Sequence, residues 1–124
     1  MSDLVELSDA EWQIMNLVWD RQPIMAQDVI GTLAEPCEWS PATVRTMLHR
    51  LVKKGALLYT AEGNRYWYRA AIQRADCIRR AARSFLDRVF AGEAAPLLAH
   101  FVRTVKFTPE ELAQLRELLD QQER

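Results

Sequence analysis

The sequence predicts a mainly α chain: three helices, a two-stranded hairpin, and then a second helical region. Three observations carry this. Helix-start signals at Ser8, Ser40 and Thr108 each precede an apolar stripe at helical spacing. Two short β-prone runs surround a Gly-Asn turn at Gly63-Asn64. Beyond residue 70, strand signals are lacking and apolar residues recur in steps of three and four.

The first helix opens on Ser8-Asp9-Ala10-Glu11, a capping box with Ser8 as N-cap and Glu11 at the third helical position. Ile14, Leu17 and Val18 share one face, and Arg21-Gln22-Pro23 ends the helix. A second helix is expected from Ala26 to Ala34, with Val29, Ile30 and Leu33 inward and Glu35-Pro36 as its break. The third has Ser40 as N-cap and Pro41 in the first turn, where its missing N–H costs nothing. Gly55 closes it, and Lys53 and Lys54 suit the negative end of its dipole. Val44, Met47, Leu48 and Leu51 form its apolar face, and Thr43, Thr46, Arg50 and Lys53 follow the same spacing on the opposite side. Leu57-Leu58-Tyr59-Thr60 and Arg65-Tyr66-Trp67-Tyr68-Arg69 form the hairpin around Glu62-Gly63-Asn64. Tyr66 and Tyr68 share a face and are expected to pack on the helices, while Trp67 stays open between packing and exposure. Helix, helix, helix, hairpin is the winged helix-turn-helix order, and residues 1–70 are assigned to it.

Residues 71–124 read as three short helices separated by Gly92 and by the break before Thr108. Ala75, Ile78, Ala82, Phe85 and Val89 form one stripe; Leu97, Leu98, Phe101, Val102 and Val105 form another. Thr108-Pro109-Glu110-Glu111 is a second capping box, leading into Leu112, Leu115, Leu118 and Leu119. Short helices cannot build a private core of useful size, and an identical subunit supplies a partner surface. A homodimer is therefore expected, held by Ile78, Phe85, Val89, Leu97, Leu98, Phe101, Val105, Leu112, Leu115 and Leu119.

The chain carries a net charge of −1, with 49% apolar residues. That balance hides a segregation of charge. Residues 1–39 hold eight acids against Arg21 alone, a net of −7. Residues 40–69 hold Arg45, Arg50, Lys53, Lys54, Arg65 and Arg69 against Glu62, a net of +5. A local patch outweighs the total because salt screens charges beyond about 8–10 Å. The acidic opening Met1-Ser2-Asp3-Leu4-Val5-Glu6 does not read as a signal peptide, and no stretch matches a membrane span. Cys37 and Cys77 lie far apart without CxxC spacing, which fits a cytoplasmic protein without disulfide or metal. No paired carboxylates, nucleophile elbow, Gly-rich phosphate loop or HExxH string is present, so neither enzyme chemistry nor a cofactor is expected.

The third helix has the makings of a DNA reader. An α-helix fits the major groove, where Arg50 can fork onto guanine O6 and N7. Thr43 and Thr46 are short enough for close approach to a base, a phosphate or a thymine methyl. Ser40 and the first-turn amides suit a phosphate. Lys53 and Lys54 suit backbone phosphates, which position without specifying. Asn64 and Arg65 at the hairpin tip suit the minor groove or a phosphate. His49 reads as a flank residue making a phosphate or packing contact, and His100 as structural. A double-stranded DNA partner is thus expected. Two rivals are a winged-helix protein-interaction module and a repressor with a redox or small-molecule input.

The strings LSDAEWQIMNLVWD (7–20), WSPATVRTMLHRLVKKGAL (39–57) and EGNRYWYRA (62–70) resemble the penicillinase-repressor family, the BlaI/MecI group with its copper-responsive CopY relatives. The likeness extends to SFLDRVFAG (84–92) and TPEELAQLRELL (108–119). The resemblance implies a bacterial winged-helix repressor that binds pseudo-palindromic operators as a dimer, with family DNA contacts falling on Thr43, Thr46 and Arg50. Copper-responsive members carry paired C-terminal cysteines, and the string Leu118 to Arg124 has none. In β-lactam-responsive members, a membrane metalloprotease sensor triggers cleavage at an Asn–Phe bond. The matching bond here is His100-Phe101, with histidine in place of asparagine.

Overall fold

The computed structural model describes residues 5–123, so residues 1–4, with Asp3 of the acidic opening, and Arg124 lie outside the described residues. The elements are α1 (Asp9–Arg21), β1 (Ile24–Met25), α2 (Ala26–Leu33), α3 (Pro41–Lys53), β2 (Leu57–Glu62), β3 (Arg65–Ala70), α4 (Arg74–Phe90), α5 (Ala94–Thr104) and α6 (Pro109–Gln122). The result is a mostly helical winged-helix architecture, as the sequence predicts.

The starts of the helices follow the sequence signals closely. Ser8 accepts from the Glu11 amide while the Ser8 amide donates to Glu11 Oε1 at 2.9 Å, closing the capping box. Thr108 and Glu111 repeat the arrangement at α6. At α3, Ser40 Oγ accepts from the Thr43 amide at 3.1 Å. The far end of α3 closes with Gly55 at φ +87°, where the Ala56 amide reaches the Leu51 carbonyl at 2.9 Å and the Gly55 amide reaches Val52 at 3.1 Å. That is a Schellman closure, and its left-handed turn favours a residue without Cβ.

The core lies among the first three helices and the sheet. Ile14, Met15, Val18, Val29, Val44, Leu48, Leu51 and Leu57 are fully buried there. Trp19 packs on the edge of this core, tilted against Trp12 with ring centroids 5.9 Å apart. Among the described residues, no buried side-chain nitrogen or oxygen lacks a hydrogen-bond partner.

The sheet has three strands in the order β1-β3-β2, where the sequence suggested two. β1 pairs Ile24 with Tyr68 and Met25 with Trp67. Two residues are too short to show a period, so only the pairing with β3 makes this strand. The hairpin is longer than its β-prone runs, because Glu62 pairs with Arg65 and leaves Gly63-Asn64 as the turn. Gly63 has φ +62°, as a turn with glycine first requires. Tyr66 departs from expectation. Tyr68 is buried, but Tyr66 is 49% exposed and stacks on Tyr59 with centroids 4.8 Å apart. The shared face turns toward the helices near Tyr68 and runs past them toward the tip.

Two compact units result, Met1–Ala82 and Arg83–Arg124, with the boundary inside α4. The first runs beyond residue 70 because the Trp19 indole N–H donates to the Ile72 carbonyl at 3.0 Å and Arg74 Nε donates to Asn16 Oδ1 at 3.2 Å.

One ion pair joins the start of α1 to the end of α3. Lys54 Nζ donates to Glu11 Oε1 at 2.8 Å and to the Glu6 carbonyl at 2.8 Å. Glu11 is only 3% exposed. Burial pushes its carboxyl pKa up, but the bonds from Lys54 and Ser8 outweigh this and hold it below the ordinary 4.5. With the folded value depressed, this contribution to stability is present above the ordinary pKa and lost as pH falls through the folded one. Glu11→Gln is expected to cost about 1–3 kcal/mol near neutrality, by analogy with other charged hydrogen bonds. It should also flatten the acid limb below about pH 4.5. Urea titrations followed by tryptophan fluorescence at several pH values test this, and parallel pH curves for wild type and variant would overturn it.

Candidate nucleic-acid interface

The outward face of α3 is fixed by what the inward face buries. Val44, Met47, Leu48 and Leu51 are held in the core, so residues out of phase with them are turned to solvent. Thr43, Thr46, Arg50 and Lys53 are all exposed, in the row expected from their spacing. Ser40 and Thr43 also share a hydrogen bond between their hydroxyls, 2.9 Å apart, so the start of this row is ordered by the cap itself. Asn64 and Arg65 are exposed at the hairpin tip.

The structure sorts the basic residues by what they touch. Lys54 donates to Glu11 Oε1 and to the Glu6 carbonyl, so part of its charge is neutralised within the domain. Arg69 donates to Thr60 Oγ1 at 3.2 Å, a neutral partner that leaves its charge uncancelled. Arg45, Arg50, Lys53 and Arg65 form no ion pair with any described residue, and α3 contains no acid. In contrast, Arg79 and Arg83 on α4 pair with Asp76 and Asp87 at 2.9 and 4.0 Å.

The exposed face is also broader than the row chosen from sequence. Ala42, Arg45 and His49 are exposed on α3 as well. Sequence reading used Arg45 only as part of the local charge and set His49 on a flank. A helical projection centred opposite the core stripe, rather than one started from Thr43, would have found both.

The remaining expected residues lie on α4, α5 and α6. His100 and Phe101 are exposed on α5, in the last turns before its end at Thr104. None of these three helices has a buried residue. Phe85, Val89, Leu98, Phe101, Val105, Leu112, Leu115 and Leu119 are exposed, and so is Ile78; Leu97 is half-buried. Among the described residues there is no group of three or more His, Cys, Asp or Glu side chains able to hold a metal. No described helix is long and apolar enough to cross a membrane.

Comparison with known proteins agrees with this arrangement. The family model described as penicillinase repressor matches residues 7–121. The penicillinase repressor of Bacillus licheniformis is 34% identical over 121 residues, covering 98% of this chain and 94% of the relative. The methicillin resistance regulatory protein MecI of Mammaliicoccus sciuri is 29% identical over 115 residues, covering 93% and 94%. Among solved structures, the DNA-binding domain of the repressor BlaI matches at 41% identity with a TM-score of 0.53, covering 56% of this chain and 85% of that one. The monomeric form of Bacillus licheniformis BlaI in complex with the blaP half-operator matches at 40% identity with a TM-score of 0.53, covering 59% and 89%. With its winged-helix fold and a family match spanning nearly the whole sequence, this chain belongs to the penicillinase-repressor family.

Proposed function

We propose that the protein is a dimeric transcriptional repressor that occupies a pseudo-palindromic DNA operator through α3 and the hairpin wing. The carrying observation is the placement of four cations, Arg45, Arg50, Lys53 and Arg65, which pair with no acid among the described residues, on the helix and wing of a domain that is otherwise acidic. A protein-interaction module has no need of such a set. In this reading Arg50 forks onto a guanine, and Thr43 and Thr46 lie close to bases or phosphates. Ser40, Lys53, Asn64 and Arg65 hold the backbone. Cys77 does not favour a redox input: burial raises its thiol pKa, against a lowering influence from Arg80.

Dimerisation rests on the exposed apolar faces of α4 to α6. Val102 is 68% exposed and Leu118 57%. At roughly 25 cal/mol per Å² of apolar surface, covering such faces with a second copy provides the stability that the helices lack alone. Two half-site contacts then reinforce each other through the dimer. Derepression is assigned to cleavage at His100-Phe101 by a protease under a membrane sensor. The bond lies within α5, so cleavage requires local unwinding of that helix and, in the dimer, release of the apolar face that the second copy covers.

Gel shifts on the intergenic DNA upstream of its own gene test the function. With roughly 6–10 phosphates neutralised per dimer, affinity should fall about 10³–10⁵-fold between 50 and 200 mM salt, and a flat response would remove the electrostatic basis. Arg50→Ala should relax discrimination by about 1–3 kcal/mol, whereas Lys53→Ala weakens all sequences alike. Equal losses from the two variants would overturn the role of Arg50.

Sedimentation should give a dimer for the full chain and a monomer for a chain ended after Ala82, and a full-length monomer would contradict the dimer. On immunoblots of derepressed cells, a fragment ending near His100 is expected. Intact protein under every derepressing condition would rule out cleavage.

A further inference from the structure

Side chains on a helix advance by about 100° per residue. The direction opposite the buried stripe of α3 therefore falls among Ala42, Thr46, His49 and Lys53. Thr43 and Arg50 occupy the half of the outward face nearer Met47. Arg45 lies on the other half, nearer Val52, with Ala42 and His49 between it and the centre.

Arg45 and His49 are four residues apart, so they stand one turn from each other on one row. Both are exposed, and neither side chain makes a hydrogen bond or ion pair with a described residue. The helical neighbours of Arg45 at three and four residues are Pro41, Ala42, Leu48 and His49, none of them acidic. On α4, Arg79 and Arg83 have such a carboxylate at three or four residues.

We propose that Arg45 and His49 read bases directly, as a second row beside Thr46 and Arg50. The Arg45 guanidinium presents two parallel N–H donors that match guanine O6 and N7. His49 offers one ring N–H, enough for a single bond to guanine O6 or N7. Ala42, one turn earlier, puts no bulk between this row and the groove and presents a methyl to a thymine methyl. The recognition surface of α3 is thus two rows wide, and its sequence preference includes base pairs that Arg50 does not reach. The inference rests on the DNA-binding reading above.

The test uses the full-length protein and a pool of randomised duplexes, followed by anisotropy titrations on single-base variants of the selected sequence. Wild type, Arg45→Ala, His49→Ala, His49→Gln and Arg50→Ala are compared, with thermal melts to establish that each is folded. Arg45→Ala and His49→Ala should each flatten the preference at one base pair by about 5- to 150-fold, at positions distinct from the one Arg50→Ala affects. His49→Gln, which keeps an N–H donor, should restore part of that preference. Affinity of His49→Ala for an unrelated duplex should change by less than about threefold, because no phosphate contact is lost. A uniform loss over all sequences would make these residues phosphate contacts and overturn the proposal. Unchanged preferences would make them solvated and overturn it equally. If wild type enriches no sequence at all, the DNA-binding reading fails instead.

Discussion

Helix α3 meets two demands on one period, and the rest of the N-terminal unit is arranged around that constraint. Its inward stripe, Val44, Met47, Leu48 and Leu51, must be buried deeply enough to fix the helix about its axis. Its outward side must stay bare. Any slip in rotation would expose leucine and bury arginine, which burial energetics forbid. Each end is separately held, by the Ser40 cap at the start and by the Schellman closure at Gly55 at the finish. The second closure also sets where β2 leaves, and so where the wing begins.

The acidic segment before α3 has a part in this. Glu11 belongs to the cap of α1, yet it also draws in Lys54 from the end of α3. One carboxylate thereby orders two helix ends and neutralises part of one cation's charge. The cations that remain outward have no acid within reach on α3, so their potential is directed to solvent. A net charge of −1 is compatible with a polyanion partner for this reason: the acids and the bases fall in separate segments of the sequence, and the acid-free helix α3 carries the bases.

The second unit follows a different logic. Its helices are amphipathic and α6 opens on a capping box, yet none contains a buried residue. Local signals suffice to form such helices but not to stabilise them, since isolated short helices are marginal in water. Their apolar faces are a demand for a partner that the single chain does not meet.

The sequence by itself determined the starts of α1, α3 and α6, the turn at Gly63, the closure at Gly55 and which side of α3 is apolar. These depend on contacts within a few residues, where capping hydroxyls, missing Cβ atoms and a 3.6-residue period act directly. Tertiary structure decided what depends on distant partners. Ile24-Met25 became a strand only because β3 lies beside it, and Tyr66 was left bare because the helices end short of the hairpin tip. Lys54 was drawn to Glu11, forty-three residues earlier. The breadth of the exposed face, with Arg45 and His49 on it, was by contrast within reach of the 3.6-residue period, once the projection is centred opposite the buried stripe of α3.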